Sequence, residues 1–118
     1  MVQTVPVSVV ETPEFLSATR KLMSDEERRL LVDYLAYNPM TGDLVQGTGG
    51  IRKVRWGLEG RGKRGGARVI YFYHDADMPL FALTAYAKNE RADLSQQDRN
   101  DFRQLTTMLV DAFKRRKP

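Results

Sequence analysis

Cysteine is absent from the 118 residues and histidine occurs once, at His74. The first gap excludes disulfides, thiol nucleophiles and thiolate zinc sites. The second removes a pair of histidines as acid and base and argues against a first-row transition-metal site. No cofactor and no metal are therefore expected, and any chemistry must fall to lysine, arginine, tyrosine and carboxylates. Long apolar runs are lacking too: none approaches the roughly 18 residues of a membrane span. The start of the chain, MVQTVPVSVVETPEF, has neither a basic nor a long apolar signal region. A cytosolic address with no membrane partner is the expectation. Apolar residues at 42% and charged residues at 29% fit one folded domain over residues 1–118 rather than a disordered chain.

What the chain does have is positive charge in one place. Between Ile51 and Arg68 stand seven cations, Arg52, Lys53, Arg55, Arg61, Lys63, Arg64 and Arg68, against the single anion Glu59, a local balance of +6 where the whole chain carries +4. The remainder is net negative. Charge concentrated on one element is the electrostatic footprint of a protein that grips a phosphate backbone.

The pattern predicts an α+β fold, a small antiparallel sheet flanked by two N-terminal helices and one C-terminal helix. Val5 to Val10 alternate and are β-branched, with Pro6 confining them to an edge strand. Thr12-Pro13 is a helix entry, with Phe15, Leu16, Thr19, Leu22 and Met23 on one face. Ser24 and Glu27 form a capping box for a second helix whose stripe is Leu30, Leu31, Tyr34 and Leu35 and which Asn38-Pro39 stops. Met40 to Gly50 reads as loop. Strands follow at Ile51 to Trp56, Ala67 to His74 and Leu80 to Ala87, the last two joined by turn residues Asp75 to Pro79. Ser95 caps a final helix with Phe102, Leu105, Met108, Leu109, Ala112 and Phe113 facing the core.

An antiparallel hairpin between the last two strands sets residues whose numbers sum to about 154 opposite each other, which places Arg68 beside Tyr86 and, by the same logic across the glycine-rich stretch, Arg55 near Arg68. The period of 2 keeps Lys53 and Arg55 on one face, with Val54 and Trp56 on the other, and joins Tyr86 to Lys88. Five polar groups then converge at one end of the sheet. The ten residues Gly57 to Gly66 form a basic loop there, with Arg61, Lys63 and Arg64 placed to close over a bound strand. Each group also has a plainer reading: Arg61, Lys63 and Arg64 as a solvated loop, Arg68 as a snorkelling edge cation, Tyr86 as a half-buried aromatic, and Glu90 as a salt-bridge partner of Lys88 or Arg91.

The phrases QGTGGIRKVRW, GKRGGARVIYFY and AYAKNE, with a helix after them, resemble the RelE superfamily of bacterial toxins, and within it the HigB-type branch. The likeness covers nearly the whole chain. It implies a type II toxin with a microbial-ribonuclease-type fold, an endoribonuclease that needs no metal and cuts messenger RNA in the A site of the translating ribosome. It also implies a neutralising antitoxin, expected to be of helix-turn-helix type. Lys53, Arg55 and Arg68 match basic positions of the family's site, Lys88 a lysine at the end of its last strand, and Tyr86 and Glu90 the Y-x-K-N-E ending of the HigB-like branch. Arg52, Arg61, Lys63 and Arg64 are expected to contact RNA or ribosome. Asn89 departs from RelE itself, which has an arginine there, and Leu94 or Ser95 falls where RelE has a tyrosine. The implied reaction is attack of the RNA 2′-hydroxyl on the adjacent phosphate, with Arg68 stabilising charge, Arg55 supporting it, and the base left among Lys53, Lys88 and Glu90. A gyrase poison of ParE type and an RNA-binding module without chemistry are the alternatives.

Overall fold

The computed structural model describes residues 5–58, 62–90 and 93–116, with side chains for all of these except Leu58, residues 62–65 and Arg116. Eight elements follow in order: β1 (Val9–Glu11), α1 (Pro13–Arg20), α2 (Asp25–Tyr37), β2 (Asp43–Leu44), β3 (Ile51–Leu58), β4 (Gly62–Phe72), β5 (Leu80–Ala87) and α3 (Gln96–Arg116). The strands form one sheet in the order β1-β5-β4-β3-β2.

The helix signals act where the residue chemistry puts them. Thr12 Oγ1 accepts from the Phe15 N–H at 3.1 Å and also lies 3.0 Å from the Ala82 carbonyl oxygen, so one hydroxyl caps α1 and ties it to β5. Ser24 and Glu27 form the reciprocal capping box of α2, each bond 3.1 Å. Ser95 and Asp98 repeat the device for α3 at 3.0 Å.

The central strands are antiparallel as expected, but the sheet as a whole is mixed. The N-terminal strand begins at Val9, not Val5, and pairs parallel with β5, Val9 opposite Leu80. Its chain runs straight into α1, which packs back over the sheet, so it reaches β5 from the crossover side rather than through a hairpin. The segment read as loop contains β2, whose two residues pair with Lys53 and Arg52. The glycine-rich stretch is largely strand: pairing continues to Leu58 opposite Gly62, and Gly62 to Gly66 belong to β4. Cross-strand pairing overrides glycine's weak strand preference here.

The predicted register holds where it matters. Arg55 faces Arg68, and Arg68 faces Tyr86. Beyond Ile70 the β4–β5 register shifts by one, leaving Leu83 as the extra residue of a bulge on β5. The parity of β5 changes there, so Ala82 and Ala85 share one core while Leu83 and Tyr86 share the other.

Two cores lie on the two faces of the sheet. Under α1 and α2, Phe15, Leu31 and Leu35 pack on Val69, Tyr71 and Ala82. Under α3, Phe102, Leu105, Leu109 and Phe113 cover Ile51, Ile70, Phe72 and Phe81. Some stripe residues turn outward: Leu30 and Tyr34 on α2 are exposed, as are Met108 and Ala112 on α3. The buried sector of each helix is narrower than its apolar residues suggest, with Ala36 and Val110 turned toward the packed sides instead.

Candidate active site

Alternation along β3 decides which side chains share a face. Val54 and Trp56 pack against the core under α1 and α2, so Lys53 and Arg55 project from the other face, where Ile51 joins the core under α3. Lys53, Arg55 and Arg68 meet in an open cavity of about 530 Å³ whose remaining lining, among the described residues, is Thr41, Asp43 and Val54. Arg55 and Arg68 stand directly opposite across two strands. Like charges so placed repel. Among the described residues neither guanidinium has an ion-pair or hydrogen-bond partner, so both keep their donors for an anion from outside.

Lys53 is held differently. Its Nζ lies 3.2 Å from Asp93 Oδ1, with the lysine side chain 28% exposed. Asp93 also accepts from the Leu94 N–H at 2.8 Å and lies 3.5 Å from Arg99 Nη2. The Leu94 N–H, followed by the Lys53 hydrogen bond, holds the Asp93 carboxyl below its ordinary value. A cationic side chain on β3 is thereby fixed from the segment that leads into α3.

The other expected site residues are distributed around this centre. Tyr86 is buried, 6% exposed, as the cross-strand neighbour of Arg68. With Glu90 it lines a second cavity of about 290 Å³, whose other walls include Glu14 and Ser17 of α1 and Lys21 at its C-terminal cap. Lys88 is exposed just past β5, its N–H bonded to the Gly66 carbonyl at 3.2 Å. Lys53, Arg55 and Arg68 are therefore brought into one cavity, whereas Tyr86 and Glu90 share another, because Glu90 follows a turn that β5 does not continue through. Arg52 alternates to the opposite face and gives its guanidinium to the carbonyls of Met40 at 3.2 Å and Gly42 at 2.7 Å. Arg61 and Arg91 lie outside the described residues, and Lys63 and Arg64 are described as β4 backbone only.

The approach to β2 carries the wall that the sequence pattern missed. Tyr71 Oη donates to the Pro39 carbonyl and accepts from the Gly42 N–H, each at 2.8 Å, and burial pushes its phenol above the ordinary value. A buried phenol thus pegs the turn that presents Thr41 and Asp43. On the α3 side, Arg99, Arg103 and Thr106 donate to the successive carbonyls of Gln46, Gly47 and Thr48 at 3.2, 3.0 and 2.9 Å. The loop leading into β3 is stitched to α3, the helix that Asp93 precedes. Among the described residues no helix is long and apolar enough to cross a membrane. A family model described as the RelE toxin of the RelE/RelB toxin–antitoxin system matches residues 9–116.

Proposed function

The chain belongs to the RelE toxin family of a toxin–antitoxin system, and from that premise we propose that it is a metal-independent, ribosome-dependent endoribonuclease of HigB type. Its substrate is messenger RNA in the A site and it is neutralised by a cognate antitoxin of helix-turn-helix type in the cytoplasm. The observation that supports this reading most is the pair Arg55 and Arg68, set opposite each other in an open cavity where, among the described residues, no anion pairs with either guanidinium. Such a pair is complementary to a phosphate whose negative charge grows in the transition state.

In this mechanism RNA supplies the nucleophile. The 2′-oxygen attacks the neighbouring phosphorus, Arg68 and Arg55 stabilise the phosphorane-like transition state, and the bond to the 5′-oxygen breaks. Lys53, an ammonium already anchored on Asp93, protonates the departing oxygen. The products are a 2′,3′-cyclic phosphate and a 5′-hydroxyl. Tyr86 backs Arg68 as a positioning residue. Lys88 and Glu90, at the exposed exit of β5, contact RNA or ribosome outside the cavity, and Arg61, Lys63 and Arg64 supply further contacts to RNA or ribosome. Arg52 keeps to the backbone carbonyls it already holds.

The test is to add the purified chain to ribosomes stalled on a defined message and to map the new ends. A cut within the A-site codon that leaves a cyclic phosphate is expected. Intact message from a preparation that still arrests growth would overturn the reading and direct attention to gyrase.

A further inference from the structure

Among the described residues, Asp43 is the one carboxylate lining the cavity that holds Lys53, Arg55 and Arg68. A carboxylate in a phosphate-binding cavity weakens binding by like-charge repulsion, so it is a cost unless it does something there. The structural use open to it would be an ion pair with Lys53, its direct cross-strand neighbour. Lys53 instead turns to Asp93 at 3.2 Å. Among the described residues the Asp43 carboxylate has neither a hydrogen bond nor an ion pair. Its mounting is nonetheless firm. The residue before it, Gly42, is fixed through its N–H by Tyr71 and through its carbonyl by Arg52, at 2.8 and 2.7 Å.

Resting on the ribonuclease reading above, we propose that Asp43 is the general base that activates the RNA 2′-hydroxyl. The proton of that hydroxyl passes to the Asp43 carboxylate as the bond from 2′-oxygen to phosphorus forms. The bond from phosphorus to the 5′-oxygen breaks, and Lys53 gives that oxygen a proton. Solvent then removes the proton from Asp43 and restores the one on Lys53. Base and acid thus stand side by side on β2 and β3, and the two arginines take the phosphate between them. This arrangement frees Glu90, which lines the other cavity, from the role of base.

Among the described residues, the charged groups facing Asp43 are Lys53 and Arg55 of β3 and Arg68 of β4, while Arg52 holds the adjoining Gly42 carbonyl from the opposite face and the Tyr71 phenol is close enough to feel the Asp43 charge. The test uses the full chain on message-programmed ribosomes under single-turnover conditions. Asp43→Asn should slow cleavage by about 10²- to 10⁴-fold, the usual worth of one proton-transfer group. It should leave binding to the programmed ribosome unchanged or tighter, and remove the acid limb of the pH–rate profile. Asp43→Glu, which keeps a carboxylate, should recover part of the rate and retain that limb even if the asparagine variant folds poorly. An active wild type with an Asn variant that cuts within a few-fold of it, acid limb intact, overturns the role of Asp43 alone. A wild type that leaves the message whole removes the nuclease reading and this inference with it.

Discussion

Arg55 and Arg68 face each other at the cost of mutual repulsion, and that cost gives them a signature which ordinary surface cations lack. Replacing Arg55 by alanine relieves a like-charge pair worth a few tenths to about 1 kcal/mol. The variant should therefore unfold in urea at the wild-type midpoint or above it while message cleavage falls by about 10²- to 10³-fold, the usual loss for a removed transition-state donor. A structural cation would lose stability and activity together. Asp93 makes a different residue-scale prediction. Its carboxyl lies below the ordinary 3.8, held there first by the Leu94 N–H and then by Lys53. A depressed carboxyl contributes stability that is fully present above the unfolded value and is lost as pH falls through the folded one. The gap in melting temperature between wild type and Asp93→Asn should thus be widest at neutral pH and close on acidification below 3.8. Thermal unfolding across that range checks it.

At the scale of elements, the site depends on two anchors outside the cationic strand. Tyr71 satisfies both the Gly42 N–H and the Pro39 carbonyl, so Tyr71→Phe leaves buried polar groups unpaired and should cost about 1–3 kcal/mol, read from the urea midpoint. Gly49 holds φ +78, and a Cβ there would overlap Thr106 Oγ1, the hydroxyl that binds the Thr48 carbonyl. Gly49→Ala should cost about 1–3 kcal/mol through backbone strain and displacement of α3. These anchors explain what the sequence could and could not disclose. Lys53, Arg55 and Arg68 were readable because strand alternation and a short hairpin fix faces and register locally. Asp93 meets Lys53 across 40 residues, and no periodic signal spans that separation. Asp43 escaped for another reason: a strand of two residues carries no alternation to read. Glycines 62, 65 and 66 suggested an open loop, yet pairing along β3 draws them into β4. The helix caps were the most legible features, since those of α2 and α3 depend on a hydroxyl and a carboxylate three residues apart and that of α1 on a threonine before a proline.

For the molecule as a whole, the described helices cover the two faces of the sheet and leave an open cavity over β3 and β4, where Lys53, Arg55 and Arg68 concentrate positive charge. RNA affinity should accordingly fall steeply with salt, and removing Arg55 or Arg68 should lower the slope of log affinity against log salt by about 1 each. A smaller change would place phosphate contact elsewhere. The most direct measurement is the single-turnover rate of message cleavage on programmed ribosomes by Arg68→Ala, at concentrations where binding is saturated. The proposed convergence of Arg55, Arg68 and Lys53 on the scissile phosphate predicts a loss of about 10²-fold or more with the cut site unchanged. Cleavage by Arg68→Ala at the wild-type rate would contradict it.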